Sequence, residues 1–159
     1  MKKRNLASKP TLLISICVVL IDQASKVLAR HYLTNGVPKG FIPDLIQIRL
    51  IKNTGAAFSI FSNSTLLLGI LSFAVSILLI IWILQSSPLP LIQALGGALL
   101  LGGTIGNGID RWFQGGVTDF LELVPISFPI FNIADIAINI AIICFGINAL
   151  MERRSETRT

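Results

Sequence analysis

Two aspartates, Asp119 and Asp135, are the residues of this sequence best suited to do chemistry together. A chain that folds back between them would bring their carboxyl groups face to face. Two carboxyls in one site cannot both ionise easily, so one holds a proton while the other acts as a base. The base can activate water against a peptide carbonyl, and the acid can protonate the oxyanion, without a metal or a covalent intermediate.

Further polar residues recur at helical spacings on either side of this pair. Asp22 and Lys26 are four residues apart, as an ion pair on one helical face would be. Spacings of three and four residues separate Asn132, Asp135 and Asn139, which would place their side chains on one face of a helix. A third set repeats at every fourth residue and consists of Gly103, Asn107 and Arg111. Each set predicts a helix with one polar edge.

The composition requires segments that cross a membrane. Of the 159 residues, 53% are hydrophobic and 13% are charged, and the mean hydropathy is +0.77, which is far too apolar for a soluble domain of this length. The formal charge of +5 belongs to the tails, because charges between them cancel. The basic residues of the tails are Lys2, Lys3, Arg4, Lys9, Arg153, Arg154 and Arg158. We therefore expect membrane lipid, and not nucleic acid, as a partner.

Four segments are long enough to span a hydrocarbon core, which takes about 20 helical residues. We predict helices at about residues 11–29, 65–84, 89–109 and 131–150. Four spans place both termini on one side, and the basic tails assign that side to the cytoplasm. The longer connections, at about residues 30–64 and 111–130, then lie outside the cytoplasm. No repeat or linker interrupts the chain, so we predict a single polytopic membrane domain.

Both outer connections contain stretches typical of β-strands. Residues 46–50 alternate between apolar and polar side chains, which favours a strand with one apolar face. Residues 117–124 are rich in β-forming side chains and end at Pro125. The predicted fold class is an all-α membrane protein with four transmembrane helices and a small extracytoplasmic β element.

Several of these signals also have structural interpretations. The Asp22–Lys26 pair, taken alone, is more often a contact that closes a helix bundle than a catalytic group. Asp110 and Arg111 can cap the third helix and orient the loop that follows. Zinc chemistry lacks ligands, because the sequence has one histidine and no Cys or His cluster.

Two other functional classes fit less well than a peptidase. A proton-coupled transporter would use Asp22, Asp110 and Asp135 as a relay. On the predicted topology, however, the polar residues stop in the outer half of the membrane, where ionisable groups normally face a bundle interior or a cavity. A purely structural assembly subunit would leave the clustered carboxylates unexplained.

Taken in order, the polar motifs resemble those of signal peptidase II, the bacterial lipoprotein signal peptidase. The resemblance covers nearly the whole chain and rests on five motifs. They are Asp22, Gln23 and Lys26; Asn53, Thr54, Gly55, Ala56, Ala57 and Phe58; Gly102, Gly103, Gly106, Asn107, Asp110 and Arg111; Val117, Asp119 and Phe120; and Phe131, Asn132, Ala134 and Asp135. One such motif is weak, but five in this order on four predicted spans are a specific signal.

The resemblance implies an aspartic endopeptidase that removes the signal peptide from diacylglyceryl-modified prolipoproteins, cleaving just before the lipidated cysteine. It implies that Asp119 and Asp135 are the catalytic pair, with no metal or other cofactor. Residues expected to line the site, contact the substrate or support it are Asp22, Lys26, Asn53, Gly55, Asn107, Arg111, Asn132 and Ala134. The protein is expected to act as a monomer in the bacterial plasma membrane, with its active site toward the outer face.

Overall fold

Four helices make up most of the structure, a computed structural model that describes residues 5–55 and 64–156. The helices are α1 (Ser8–Tyr32), α2 (Thr65–Gln85), α3 (Leu91–Phe113) and α4 (Ile133–Glu156). Each contains a stretch that is long and apolar enough to cross a membrane. The predicted fold class, with four transmembrane helices, is confirmed.

Helix α3 is the centre of the bundle. Its apolar span is 56% buried, against 28% or less for the spans of the other three helices. Glycines let the neighbouring backbones approach closely. A Cβ atom on Gly102 would lie 2.6 Å from the Cβ atom of Val18 in α1, and one on Gly103 would lie 2.6 Å from the carbonyl oxygen of Ala134 in α4. These glycines of α3 therefore determine how closely α1 and α4 each approach α3.

The ends of α3 differ from the predicted range of residues 89–109. Leu89 and Pro90 form strand β4, which pairs antiparallel with β1 (Asn5–Leu6), so the helix begins two residues later than predicted. At its other end α3 continues to Phe113. Arg111 consequently lies in the last turn of the helix and not in the outer connection.

The remaining strands form a three-stranded antiparallel sheet in the order β2, β3, β5. The strands are β2 (Lys39–Ile42), β3 (Ile46–Asn53) and β5 (Val117–Leu123). Asn53 pairs with Val117 and Ile51 pairs with Asp119, so the end of β3 lies beside the start of β5. The predicted small β element is confirmed.

The segment before α4 is bonded to strand β5. The N–H groups of Phe120 and Leu121 donate to the carbonyl of Phe131 at 3.0 and 2.8 Å, and the N–H of Phe131 donates to the carbonyl of Leu121 at 2.9 Å. This pairing keeps Phe131 out of α4, which begins two residues later than predicted. It also places the residue after Phe131 beside β5, the strand that carries Asp119.

Gly102→Ala tests the close approach of α1 to α3. The added methyl group would lie 2.6 Å from Cβ of Val18 and 2.9 Å from the carbonyl oxygen of Ser15, so the helices must separate. Overpacking of this kind costs about 1–3 kcal/mol. We expect a lower midpoint of thermal unfolding in detergent micelles, measured by circular dichroism. Gly146→Ala in α4 is the matched control, since no described residue comes within 4 Å of its added methyl group. Equal midpoints for the two variants would contradict the packing.

Candidate active site

The two predicted carboxylates meet where β5, the end of α3 and the start of α4 come together. Asp119 is on β5 and is 1% exposed, and Asp135 is in the first turn of α4. Asn132, the residue before α4, is fully buried between them. The geometry of the pair is set by three asparagines, of which Asn132 is the first.

Asn132 contacts both carboxylates. Its side-chain Nδ2 donates to Oδ1 of Asp119 at 2.6 Å, and its backbone N–H donates to Oδ2 of Asp135 at 3.1 Å. In return, Oδ1 of Asn132 accepts from the backbone N–H of Asp135 at 3.0 Å. These reciprocal bonds form a capping box, which starts α4 and fixes the Asp135 carboxylate at the same time.

Two further asparagines occupy the remaining carboxylate oxygens. Asn53 Nδ2 donates to Oδ2 of Asp119 at 3.0 Å, and Asn107 Nδ2 donates to Oδ1 of Asp135 at 2.8 Å. The amide of Asn107 is oriented by its own oxygen, which accepts from Lys26 Nζ at 2.9 Å and from Asn132 Nδ2 at 3.1 Å. Because that oxygen takes two donors, the Nδ2 group must face Asp135.

Behind the carboxylates, Lys26 is buried between two other aspartates. Its Nζ lies 2.9 Å from Oδ2 of Asp22 and 3.6 Å from Oδ2 of Asp110, and all three residues are 0% exposed. Asp22 Oδ1 accepts from the N–H of Ala134 in α4 at 2.9 Å, and Asp110 Oδ2 accepts from the N–H of Thr118 in β5 at 2.8 Å. This cluster joins α1, α3, α4 and β5.

Arg111 links α3 to the segment after β3. Its Nη1 donates to the carbonyl of Asn107 and its Nη2 to the carbonyl of Gly55, both at 3.3 Å. The N–H of Gly55 donates in turn to Oδ1 of Asn53 at 2.9 Å, which leaves the Asn53 amide nitrogen facing Asp119. Three residues of the same motif lie outside the described residues: Ala56, Ala57 and Phe58.

A cavity of about 460 Å³ adjoins the carboxylates. Five of the predicted site residues line it: Asn53, Asn107, Arg111, Asp119 and Asp135. From there the cavity continues along α4 past Ile136, Ile140 and Ile143, whose side chains are exposed. Because α4 is one of the apolar spans, this part of the cavity faces the hydrocarbon of a membrane. The site is thus polar at the aspartates and apolar beyond them.

The pKa of Asp119 is raised to about 7, first by burial of the carboxyl and then by the negative charge of Asp135. Hydrogen bonds from Asn53 and Asn132 and the charge of Lys26 oppose this rise without cancelling it. A carboxyl with such a pKa exchanges its proton near neutral pH. Two carboxyls that share one proton require this behaviour.

The other predicted site residues lie behind the cavity wall. They are Asp22, Lys26, Gly55, Asn132 and Ala134. The capping box was readable from the sequence, because Asn132 stands three residues before Asp135 at the start of an apolar run. Asn139 also lines the cavity, and its four-residue spacing from Asp135 was the signal for it. The backbone pairing of Phe131 with β5 left no signal in the sequence.

Comparison with known proteins connects this geometry to a family. The family model described as Signal peptidase (SPase) II matches residues 14–151. The chain belongs to the signal peptidase II family. A lipoprotein signal peptidase of Parasynechococcus marenigrum (strain WH8102) is 51% identical over 147 residues, which cover 92% of each chain. One from Coxiella burnetii (strain RSA 331 / Henzerling II) is 36% identical over 160 residues, covering 97% of this chain and 98% of its own.

The fold of this signal peptidase II family member also matches solved structures. One structure of a bacterial membrane enzyme superposes with a TM-score of 0.86 at 30% identity, covering 98% of this chain and 96% of the other. A second superposes with a TM-score of 0.82, also at 30% identity, over 94% of this chain and 98% of the other. The predicted class of enzyme, a signal peptidase that acts on lipoprotein precursors, and its multi-pass membrane fold are both confirmed.

Lys26→Met tests the buried ion cluster. The substitution leaves Asp22 buried without its cation. Asp110 keeps only the more distant Arg30, whose Nη1 lies 3.7 Å from its Oδ1. Removing one partner of a buried ion pair costs about 3–5 kcal/mol. We expect a clearly lower thermal midpoint in detergent micelles. Lys39→Met is the matched control, because Lys39 is exposed on β2. Equal midpoints for the two variants would show that the cluster does not hold the helices together.

Proposed function

We propose that this chain removes the signal peptide from diacylglyceryl-modified prolipoproteins, cleaving just before the lipidated cysteine, with Asp119 and Asp135 as its catalytic pair. The observation that carries the proposal is the placement of both carboxylates, joined through Asn132, at the polar end of a cavity that is otherwise apolar. A peptide anchored by lipid can enter such a cavity from the side, within the membrane. The family to which the chain belongs supports the same activity.

In the proposed mechanism, Asp119 holds the shared proton and Asp135 acts as the base. The raised pKa of Asp119 supports this assignment, because a carboxyl with a pKa of about 7 keeps a proton available near neutral pH. Asp135 takes a proton from water as the water oxygen attacks the scissile carbonyl. Asp119 protonates the developing oxyanion. The tetrahedral intermediate then collapses as the amine leaving group takes up the proton held by Asp135 and a hydroxyl group of the intermediate returns a proton to Asp119.

We further propose that the surrounding residues divide into two groups. Asn53, Asn107, Asn132 and Arg111 orient the carboxylates or contact the substrate, and Gly55 keeps Asn53 and Arg111 in place. The residues that support the site from behind are Asp22, Lys26 and Ala134. In the described residues, the hydrogen bonds of Arg111 go to backbone carbonyls. Its guanidinium therefore adds positive charge beside the aspartates without a direct ion pair to either.

The proposed orientation places both termini in the cytoplasm and the aspartates toward the outer face of the bacterial plasma membrane. The charge pattern supports this orientation, because basic residues concentrate in the two tails. Asp119 follows the C-terminal end of α3 and Asp135 lies at the N-terminal end of α4, which is the end opposite to the C-terminal tail. We propose that the chain acts as a monomer and a single domain, with membrane lipid around its exposed apolar side chains.

Asp119→Asn and Asp135→Asn test the catalytic pair. Each removes a proton donor or acceptor that the reaction requires, so we expect cleavage to fall by about a hundredfold to ten-thousandfold. The measurement is a gel-shift assay in proteoliposomes with a diacylglyceryl-modified prolipoprotein, beside its unmodified form and with chelator present. Asp44→Asn is the matched control, since Asp44 is exposed in the turn between β2 and β3. Substantial cleavage by either active-site variant would remove that aspartate from the pair.

The pH dependence of cleavage tests the assignment of the proton. Above pH 7 Asp119 loses its proton, because its raised pKa of about 7 lies there, and the site is left with two negative carboxylates and no acid. We expect kcat/KM to decline as the pH rises from 7 to 9, approaching a tenfold loss per pH unit, because kcat/KM reports the pKa values of the free enzyme. A kcat/KM that stays constant over this range, with the protein still folded, would show that Asp119 is not the acid.

A further inference from the structure

Asn139 is a polar residue in the apolar part of the cavity. It lies in α4 four residues beyond Asp135, which is about 6 Å further along the helix. Its side chain is exposed and lines the cavity together with Ile136, Ile140 and Ile143. The proposed mechanism assigns no role to the side-chain amide of Asn139.

The hydrogen bonds of Asn139 are incomplete. Its Nδ2 donates to the backbone carbonyl of Asp135 at 2.9 Å, and this is the one side-chain bond that the structure gives it among the described residues. A carboxamide has two N–H donors and an acceptor oxygen. One donor and the oxygen therefore remain available on the cavity side, in a span where lipid offers no hydrogen bonds.

A second asparagine in the same helix shows the contrast. Asn148 Nδ2 donates to Oε1 of Glu152 at 3.0 Å, and the residue is not part of the cavity lining. Its amide interacts with a charged side chain of its own helix, one turn further on. Asn139, by contrast, donates one N–H to the backbone carbonyl of Asp135 in its own helix. The rest of its amide faces the cavity that adjoins the aspartates.

Resting on the proposed function, we infer that Asn139 donates its second N–H to a carbonyl oxygen of the lipidated substrate, about 6 Å from the scissile bond, and so contributes to substrate selection. Once the substrate fills the cavity, an acceptor on the substrate must satisfy this donor, and a lipidated peptide supplies carbonyl oxygens in both its ester bonds and its backbone. The substrate does not react at that carbonyl, so the contact acts on binding and not on the chemical step.

The substrate offers two carbonyls at about this distance. One belongs to the ester bonds of the diacylglyceryl group, which is attached to the residue that follows the scissile bond. The other is a peptide carbonyl about two residues before the scissile bond, in a segment that must be extended, because extended chain advances about 3.3 Å per residue. Both present the same acceptor to Asn139, and altered substrates separate them.

The experiment compares three synthetic substrates in proteoliposomes. The first is the diacylglyceryl peptide. The second is its dialkyl ether analogue, which lacks the ester carbonyls. The third is the diacylglyceryl peptide with the carbonyl two residues before the scissile bond replaced by a fluoroalkene. Each is cleaved by wild type, by Asn139→Leu, which removes the amide at similar volume, and by Asn148→Leu, which makes the same change outside the cavity.

We expect Asn139→Leu to lose about threefold to tenfold in kcat/KM on the first substrate, through KM, as the loss of one hydrogen bond predicts. Wild type should show the same loss on one altered substrate, and Asn139→Leu should show no further loss on that substrate. A loss on the ether analogue identifies the ester carbonyl, and a loss on the fluoroalkene identifies the peptide carbonyl. Asn148→Leu should behave as wild type on all three.

Three outcomes would overturn the inference. In the first, Asn139→Leu cleaves the diacylglyceryl peptide as well as wild type does. In the second, the loss in kcat/KM caused by Asn139→Leu adds fully to the loss caused by each altered substrate. That result would show that the amide affects cleavage through the fold and contacts neither carbonyl. In the third, Asn148→Leu loses as much as Asn139→Leu. Failure of wild type to cleave any lipidated substrate is a separate result, which would overturn the proposed function itself.

Discussion

The buried ammonium group of Lys26 is the charge on which the arrangement of the site depends. A cation without exposure must have its partners in place, because an uncompensated buried charge costs several kcal/mol. Its partners are Asp22, Asp110 and the amide oxygen of Asn107. Each of them reaches a different part of the site. Asp22 bonds the first turn of α4, Asp110 bonds the start of β5, and Asn107 bonds Asp135. Through these bonds, the packing of α1 on α3 determines where the two carboxylates lie.

Neutral amides, rather than cations, hold these carboxylates. Asn53, Asn107 and Asn132 supply donors to the side-chain oxygens of Asp119 and Asp135. A lysine or arginine in direct contact would favour the ionised form and lower the pKa of its partner. Amides orient a carboxylate without adding a full charge. Burial and the charge of Asp135 therefore outweigh the hydrogen bonds of these amides and raise the pKa of Asp119 to about 7.

The sheet contributes what the helices cannot. Antiparallel pairing of β3 with β5 brings Asn53 and Asp119 to the same place, although they are far apart in the chain. Pairing of β5 with Phe131 then delivers Asn132 and the start of α4 to that place. The apolar side chains of α4 extend the cavity from these polar groups into the span. A site of this form combines hydrolytic groups with a surface that lipid can contact.

The four spans, the polar edges of their helices and the two aspartates could be predicted before the fold was known. The hydropathy of a segment of about 20 residues and the spacing of polar residues three or four positions apart are local properties. They can therefore be recognised without knowledge of the fold. Membership of the family was readable for the same reason, since its motifs are short and lie in order along the chain.

Which polar residues face the cavity could not be predicted, because it depends on how the helices and strands pack together. Lys26, Asp22 and Ala134 share the motifs of the site yet lie behind it, and Arg111 belongs to the last turn of α3. The strands β1 and β4, and the pairing that delays α4 to Ile133, were equally beyond the sequence. The physical reason is that each depends on a hydrogen bond or an ion pair between segments distant in the chain. Spacing along one helix defines a face, but only the neighbouring elements determine what that face meets.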